Sequence, residues 1–524
     1  MKKKKFNTAG VCFPDLHYMM DNSRQVNAAQ KMVEEGDYFT INRPRQYGKT
    51  TTLHALAERL QNMEDYLPIK LNFQGIDEKW YASDSALAQM FFQQINRYFE
   101  YRSTEWHQFL QSYADRVKDM NMLSDFITRM VHRSTKKVVL LVDEVDASSN
   151  YKSFLSLLGM LRSKYLNRRS PEDATFYSVV LAGVHDVKNL KFKLRNPEEA
   201  QYDSPWNIAT NFDVEMTFQM KAIETMLEEY SKAEKVDMEI SVIAERLYFY
   251  TSGYPFLVSR LCEMIAETFL NQKEDKLWKT EDIDKAVQLL LNEENTNFGS
   301  LIKNINNHSD LYGLILRILM NGEEIGFNPD NPDNTIIQKG ITYSIFKRNG
   351  MIRIQNRVYE QRIYNLLSSN IETDMSSESA PSNEQFRLPN NALDVEKILH
   401  KFQLFLREEY SKKDKNFLER HWRLLFLAFL RPIVNGEGYT FKEVQISAEK
   451  RLDVVITYFQ HRYVVELKRW YGEKYHQKGI AQLADYLERQ HVKKGFLIIF
   501  GQKGKEKASR WISYDNKRIF VLWI

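Results

Sequence analysis

DYFTINRPRQYGKTTTLHALAERL, residues 37–60 of this 524-residue chain, is apolar and β-like up to Ile41, turns through residues 42–48, and becomes helical from Lys49. A turn of this kind binds phosphate, because backbone N–H groups and the N-terminus of the following helix point at it. Gly48 lets the backbone approach closely, Lys49 reaches the β- and γ-phosphates of a nucleotide, and the Thr50 hydroxyl holds Mg²⁺. Arg45, Gln46, Tyr47 and Thr51 complete the candidate nucleotide-binding set. One position departs from the usual pattern. Five residues before Gly48, where glycine is expected, stands Arg43, and Pro44 shapes the turn in its place. The sequence leaves open whether Arg43 or Arg45 meets phosphate or solvent.

Working outward, KKVVLLVDEVD (136–146) is a buried strand ending in two acids. The C-terminal end of a central parallel strand faces the ligand. Asp143 is therefore the candidate for the Mg²⁺ shell, and Glu144 for the attacking water. FYSVVLAGVHD (176–186) offers His185 as a sensor. The β-like runs 38–41, 69–73, 138–142 and 176–182 alternate with helical stretches, which predicts a parallel sheet covered by helices. Residues 216–300 read as all-helical. Residues 308–368 read as helix, turn, helix, then two short β-like runs around Gln355-Asn356 and a final helix, the order of a winged helix. SSNIETDMSSESAPSNEQ (368–385) is polar and aperiodic, as a flexible linker is.

FNTAGVCFPDLHYMMD (6–21), YFTINRPRQYGKTT (38–51), LLVDEVD (140–146) and SPWNIA (204–209) together resemble the AAA-ATPase-like family, related to the STAND and archaeal-type P-loop ATPases. The resemblance covers roughly residues 6–300. Members of that family replace the first glycine in the same Arg-Pro-Arg way. The resemblance implies ATP as ligand, a helical lid after the sheet, and an adenine contact around residues 17–19.

The C-terminal part carries a different charge and a different chemistry. Residues 391–524 hold 26 Lys and Arg against 16 Asp and Glu, while residues 1–390 hold 47 against 53. A surplus of about +10 beside a deficit of about −6 points to a polyanionic partner. EKRLDVVITYFQHRYVVELKRW (449–470) reads as two β-like runs, 452–459 and 462–468, joined by a short turn. Residues two apart share a strand face, so Glu466 and Lys468 point the same way. Whether Asp453 joins them depends on register, which the sequence does not fix. Two carboxylates and a lysine in one cleft are what metal-dependent phosphodiester cleavage needs: Asp453 and Glu466 hold Mg²⁺ or Mn²⁺, and Lys468 orients water or stabilises the pentavalent state. This pattern resembles the PD-(D/E)xK nuclease superfamily. Glu419, in the helical stretch 416–430, matches the acid of that family's first helix. Gln482 and Tyr486, in QKGIAQLADYLER (477–489), are similar to its Gln-x-x-x-Tyr element. Leu452 stands where the motif's name has Pro.

Composition bounds the rest. Hydrophobic residues at 43% with 13% aromatics suit a folded globular chain. Two cysteines, Cys12 and Cys262, cannot build a disulfide framework, which predicts a reducing, cytoplasmic setting. No apolar run approaches the length of a membrane span. The expected organisation is α/β: a P-loop ATPase core over 1–215, a helical lid over 216–300, a winged-helix-like domain over 301–368, a linker over 369–390, and a separate α/β restriction-endonuclease-like domain over 391–524. The expected function is ATP-controlled cleavage of nucleic acid, DNA rather than RNA, in defence against phage or foreign DNA, with a homo-oligomer as the assembly and no membrane. The alternative is a non-cleaving ATP-dependent switch whose basic C-terminal domain docks nucleic acid or a protein.

Overall fold

The computed structural model describes residues 3–148, 151–184, 205–272, 275–319, 325–328, 334–374, 386–409, 425–427, 429–430, 433–434, 438–443, 453–458, 461–489, 492–500 and 509–524. The chain forms two compact units, Met1–Ala286 and Val287–Ile524.

The first unit is built on five strands: β1 (Tyr38–Asn42), β2 (Tyr66–Asn72), β3 (Lys137–Asp143), β4 (Ser178–Gly183) and β5 (Thr210–Asn211). They pair in the order β2-β3-β4-β1-β5, all parallel. Parallel neighbours need helical crossovers that cover both faces, and β3 and β4 are accordingly buried almost end to end. Three crossover helices begin at side-chain caps. Ser83, Ser103 and Asp119 accept from the N–H groups of Ala86, Trp106 and Met122. Such caps satisfy donors that the first helical turn leaves without partners. The topology separates the loop strand β1 from the acid strand β3 by one strand, so both end at the same edge with β4 between them.

Helices Met220–Glu234, Ile240–Thr251 and Pro255–Met264 follow. Residues 216–300 are not purely helical, however. Asp237–Met238 (β6) and Leu277–Trp278 (β7) pair as a two-residue parallel bridge, too short to leave a period in the sequence. Gly253 is required where it stands. Its φ is +73°, and a Cβ there would lie 2.1 Å from the Phe218 carbonyl oxygen. The Phe218 N–H donates to the Gly253 carbonyl at 2.7 Å, so the two backbones are in direct contact.

In the second unit, helices Thr296–Asn306, Ser309–Leu319 and Asn334–Thr342 precede a hairpin of β8 (Phe346–Asn349) and β9 (Met351–Ile354). The hairpin turns at Gly350 (φ +72°), not around Gln355-Asn356. Asn356 instead caps a helix. Its side-chain oxygen accepts from the Tyr359 N–H and opens the helix Arg357–Asp374. That helix continues past residue 368, and residues 375–385 lie outside the described residues.

The remainder forms a six-stranded mixed sheet of β10 (Gly438–Glu443), β11 (Asp453–Tyr458), β12 (His461–Arg469), β13 (Lys494–Phe500), β14 (Arg510–Tyr514) and β15 (Lys517–Trp523), in the order β10-β11-β12-β13-β15-β14. β10, β11 and β12 form an antiparallel meander; β13 and β15 continue parallel to β12. Asp515 and Asn516 both take positive φ in the tight turn between β14 and β15, the conformation that a two-residue hairpin favours. One sheet face packs on the helix Val395–Glu409 through Ile398, Leu399 and Phe402. The other packs on the helix Glu473–Arg489 through Ile480, Leu483 and Leu487. Among the described residues, no helix is long and apolar enough to cross a membrane.

Candidate active sites

In the first unit, β1 delivers the chain into a loop with two left-handed residues, Gln46 (φ +60°) and Gly48 (φ +78°). A Cβ on Gly48 would meet nothing within 4 Å, so conformation rather than space calls for glycine. Lys49 is buried and folds back over the loop, donating from Nζ to the carbonyls of Arg43 and Pro44, each at 2.9 Å. Burial pushes the Lys49 ammonium below its ordinary pKa, against the pull of Glu144, Asp146 and Asp143. Thr50 sits half-buried in the first helical turn. Thr51 accepts the Cys12 N–H on Oγ1 at 3.2 Å, which fastens the N-terminal segment to the loop.

The Arg43 guanidinium contacts backbone and is half-buried. Its Nη1 donates to the Asn42 carbonyl, and its Nη2 donates to the carbonyls of Phe212 and Val214 at 3.0 and 2.8 Å. The residue that replaces the first glycine thus ties the loop to the segment after β5. Arg45 is exposed, and its carbonyl accepts the Tyr254 hydroxyl at 2.9 Å. Tyr47 is buried edge-on to Tyr254, with centroids 4.8 Å apart.

Asp143, at the end of β3, is completely buried. Its Oδ1 accepts the Glu144 N–H, and its Oδ2 has no hydrogen-bond partner. A buried carboxylate oxygen without a partner is costly, and a bound cation would offset that cost. With the Thr50 hydroxyl, the donors are hard oxygens, which fit Mg²⁺. Glu144 holds φ +57° and ψ 42°, a strained conformation for a residue with a side chain. Burial raises its carboxyl pKa, and Lys49 opposes the rise.

Sequence reasoning missed Asp146. Its Oδ2 accepts the Val184 N–H at 2.6 Å and so joins the acid turn to the end of β4. No spacing rule could have found it, because the contact depends on β3 and β4 being neighbours. His185 lies outside the described residues. A pocket beside the loop is lined by Tyr18, Met19, Tyr47, Gly48, Thr51 and Phe256, among others. Tyr18 and Met19 thus stand where an adenine contact was expected. His17 instead turns its Nδ1 to the Phe13 N–H at 2.9 Å.

In the second unit the register resolves what the sequence left open. Asp453 is the cross-strand partner of Glu466. Directly opposed residues of antiparallel strands occupy one sheet face. Val464 on that face, and Leu467 on the other, pack into the two separate cores. Glu466 is buried, and its Oε1 lies 2.7 Å from Lys468 Nζ, which also donates to Gln482 Oε1 at 3.0 Å. Glu466, Lys468 and Gln482 are therefore in one place, with Asp453 at the paired position. Two carboxylates at adjoining positions are a hard-oxygen set that fits Mg²⁺ or Mn²⁺. Glu419 lies outside the described residues. Among the described residues, no group of three or more His, Cys, Asp or Glu gathers to hold a metal.

Residues 12–325 match the AAA-like domain family, and residues 424–518 match the restriction endonuclease family of Mrr catalytic type. No curated protein matches the chain. Among solved structures, it is similar to a Walker-type ATPase of Pyrococcus abyssi (11% identity, TM-score 0.46, covering 68% of this chain and 99% of that one). It is also similar to the RuvB Holliday junction branch migration motor of Thermotoga maritima (13%, TM-score 0.35, 65% and 94%) and to the ORC2 protein of Aeropyrum pernix (11%, TM-score 0.37, 67% and 93%).

Proposed function

The chain belongs to the AAA-like domain family and carries a restriction-endonuclease domain of the PD-(D/E)xK superfamily behind it, and on that premise we propose that ATP in the first unit controls cleavage of nucleic acid, DNA first, by the second. The observation that carries the nuclease half is the junction of Glu466, Lys468 and Gln482, with Asp453 paired to Glu466.

In the first site, Lys49 exchanges the loop carbonyls for the β- and γ-phosphates. Gln46, Tyr47 and Gly48 present backbone to the phosphates, and Arg45 adds positive charge from the loop's outer side. Thr50 and Asp143 hold Mg²⁺, and Glu144 orients the attacking water and takes up its proton. In the second site, Asp453 and Glu466 hold Mg²⁺ or Mn²⁺. The bound ion supplies charge neutralisation at the scissile phosphate and acidifies water. Lys468, steadied by Gln482, meets the negative charge that grows on the phosphoryl oxygens as water attacks and the leaving oxygen departs. Glu419, matched only through the family resemblance, would supply a further carboxylate. Defence against phage or other foreign DNA, and assembly as a homo-oligomer, extend this reading by analogy of architecture.

The test is cleavage of plasmid and linear DNA by the full chain with Mg²⁺ or Mn²⁺, with and without ATP, beside Lys468→Ala and Lys49→Ala. Cutting by the wild type, lost in Lys468→Ala and altered in rate by Lys49→Ala, supports the reading. Turnover of ATP with no cutting of any nucleic acid under either metal would sink it and leave the docking switch.

A further inference from the structure

One cluster near the second site has no part in the chemistry above. Directly after Lys468 the chain runs Arg469-Trp470-Tyr471-Gly472 and then enters the helix Glu473–Arg489. Trp470 packs inward on Trp523 and His476, with centroids 5.1 and 5.9 Å away. Tyr471 and Tyr475 do the opposite. They are 61% and 40% exposed and stand edge to face, 5.3 Å apart.

Their place is set by the helix. Tyr475, Gly479, Gln482 and Tyr486 fall at spacings of four, three and four, one stripe of a helix. Within that stripe, Gln482 accepts from Lys468, and a Cβ on Gly479 would lie 3.5 Å from Lys468 Cε. The stripe therefore lies along the Lys468 side chain, with Tyr475 at its outer, exposed end. Tyr471 approaches the same point from the end of β12. The charge around the two rings is positive. Residues 468–478 include Lys468, Arg469, Lys474 and Lys478 against the single carboxylate of Glu473. The Arg469 guanidinium lies 5.9 Å from the Tyr471 ring.

Exposed rings set among cations beside a phosphodiester site have the makeup of a stacking surface for bases. A duplex offers no base face without being opened, because each base is covered above and below by its neighbours. We propose that Tyr471 and Tyr475 form a stacking platform for an unpaired base of single-stranded DNA at the mouth of the Lys468 site. The platform makes single strands, or locally opened duplex, the preferred substrate of this domain. The proposal rests on the nuclease reading and adds to it the form of the substrate.

The experiment measures binding of a 2-aminopurine-labelled single strand and of the matching duplex by the full chain in EDTA, so that cleavage plays no part. Wild type, Tyr471→Ala/Tyr475→Ala and Tyr471→Phe/Tyr475→Phe are compared. The expected result is quenching of the fluorescent base by the wild type and a loss of roughly tenfold or more in single-strand affinity for the Ala pair. The Phe pair keeps its affinity, because stacking needs the ring and not the hydroxyl. Duplex affinity and the slope of binding against salt, which report phosphate contacts, stay unchanged in both variants. Equal single-strand affinity of wild type and the Ala pair overturns the proposal, as does equal loss for single strand and duplex. Absence of quenching in the wild type also overturns it, which keeps the test decisive if the Ala pair does not fold. The two readings fail separately. Ring-dependent binding without cutting sinks the nuclease reading and leaves the platform. Cutting of single strands at wild-type rate by the Ala pair sinks the platform and leaves the nuclease.

Discussion

Lys49 and Lys468 are both largely buried lysines beside carboxylates, yet they are held in opposite ways. Lys49 donates to two carbonyls of its own loop, and the nearby Asp143 keeps an oxygen without a partner. Lys468 is in a closed ion pair with the buried Glu466, and Gln482 takes a further proton of the ammonium. The first site is thus a desolvated cation and a desolvated anion held apart, an arrangement that favours a ligand carrying both charges, such as a metal–nucleotide. The second site is neutralised internally. A metal at Glu466 would share that carboxylate with Lys468.

The largest expected effects test which site does which chemistry. Lys49→Ala lowers ATP turnover by about 10²–10³, the range for loss of one preorganised charge in a low-dielectric site. Lys468→Ala lowers DNA cleavage by a similar factor and leaves ATP turnover intact. Steady-state phosphate release and plasmid nicking on both variants measure the two effects. Loss of ATP turnover in Lys468→Ala would break the division of labour.

The next effect is on stability, and it separates the two lysines by size. Removing Lys468 leaves Glu466 as a buried charge without its cation, a cost of about 3 kcal/mol. Removing Lys49 deletes an ammonium that burial already disfavours, so no comparable loss follows. Urea unfolding of the two variants at neutral pH reads this directly. Equal destabilisation by both would mean that the Lys49 carbonyl contacts are worth as much as the Glu466 pair.

A smaller effect concerns the departure in the loop. Arg43 donates to three carbonyls, two of them in the segment after β5. Arg43→Ala is expected to cost about 2 kcal/mol of stability through the carbonyls it leaves. The KM for ATP changes by less than about threefold, because a residue that binds backbone supplies no differential contact to substrate. Thermal melts and ATP titration of turnover give both numbers. A large rise in KM with stability unchanged would move Arg43 into the phosphate site.

These contrasts also mark what the sequence could express. The parallel sheet was legible because its central strands are continuous apolar runs bounded by helical periods, and 136–146 carried its two acids on such a run. β5 and the β6–β7 bridge were not legible, because two residues make no period. The hairpin turn was misplaced because Gln355-Asn356 has turn chemistry, while Asn356 spends its side chain on a helix cap. At the second site, alternation fixed that Glu466 and Lys468 share a face. It could not fix the register that pairs Asp453 with Glu466, since any even shift preserves the faces. Asp146 and Tyr254 escaped for a different reason: each reaches its partner across a tertiary contact, to Val184 and to the Arg45 carbonyl.

The smallest effect on stability belongs to Glu144 and sharpens the first side of the comparison. Its carboxyl has an ordinary value of 4.5, raised in the folded protein chiefly by burial. Between 4.5 and the raised value the folded chain keeps a proton that the unfolded chain has lost. Stability therefore falls as pH rises through that window and is flat above it. Gln in this place carries no such loss. Glu144→Gln is expected to melt higher than the wild type at neutral pH, with the gap closing as pH is lowered towards 4.5, while ATP turnover is largely abolished. Melting curves across this range decide the sign. A variant that melts lower at neutral pH would mean that attraction to Lys49 outweighs the desolvation of the carboxylate. The two groups would then form a closed pair like Lys468 and Glu466, and the distinction between the sites would fall.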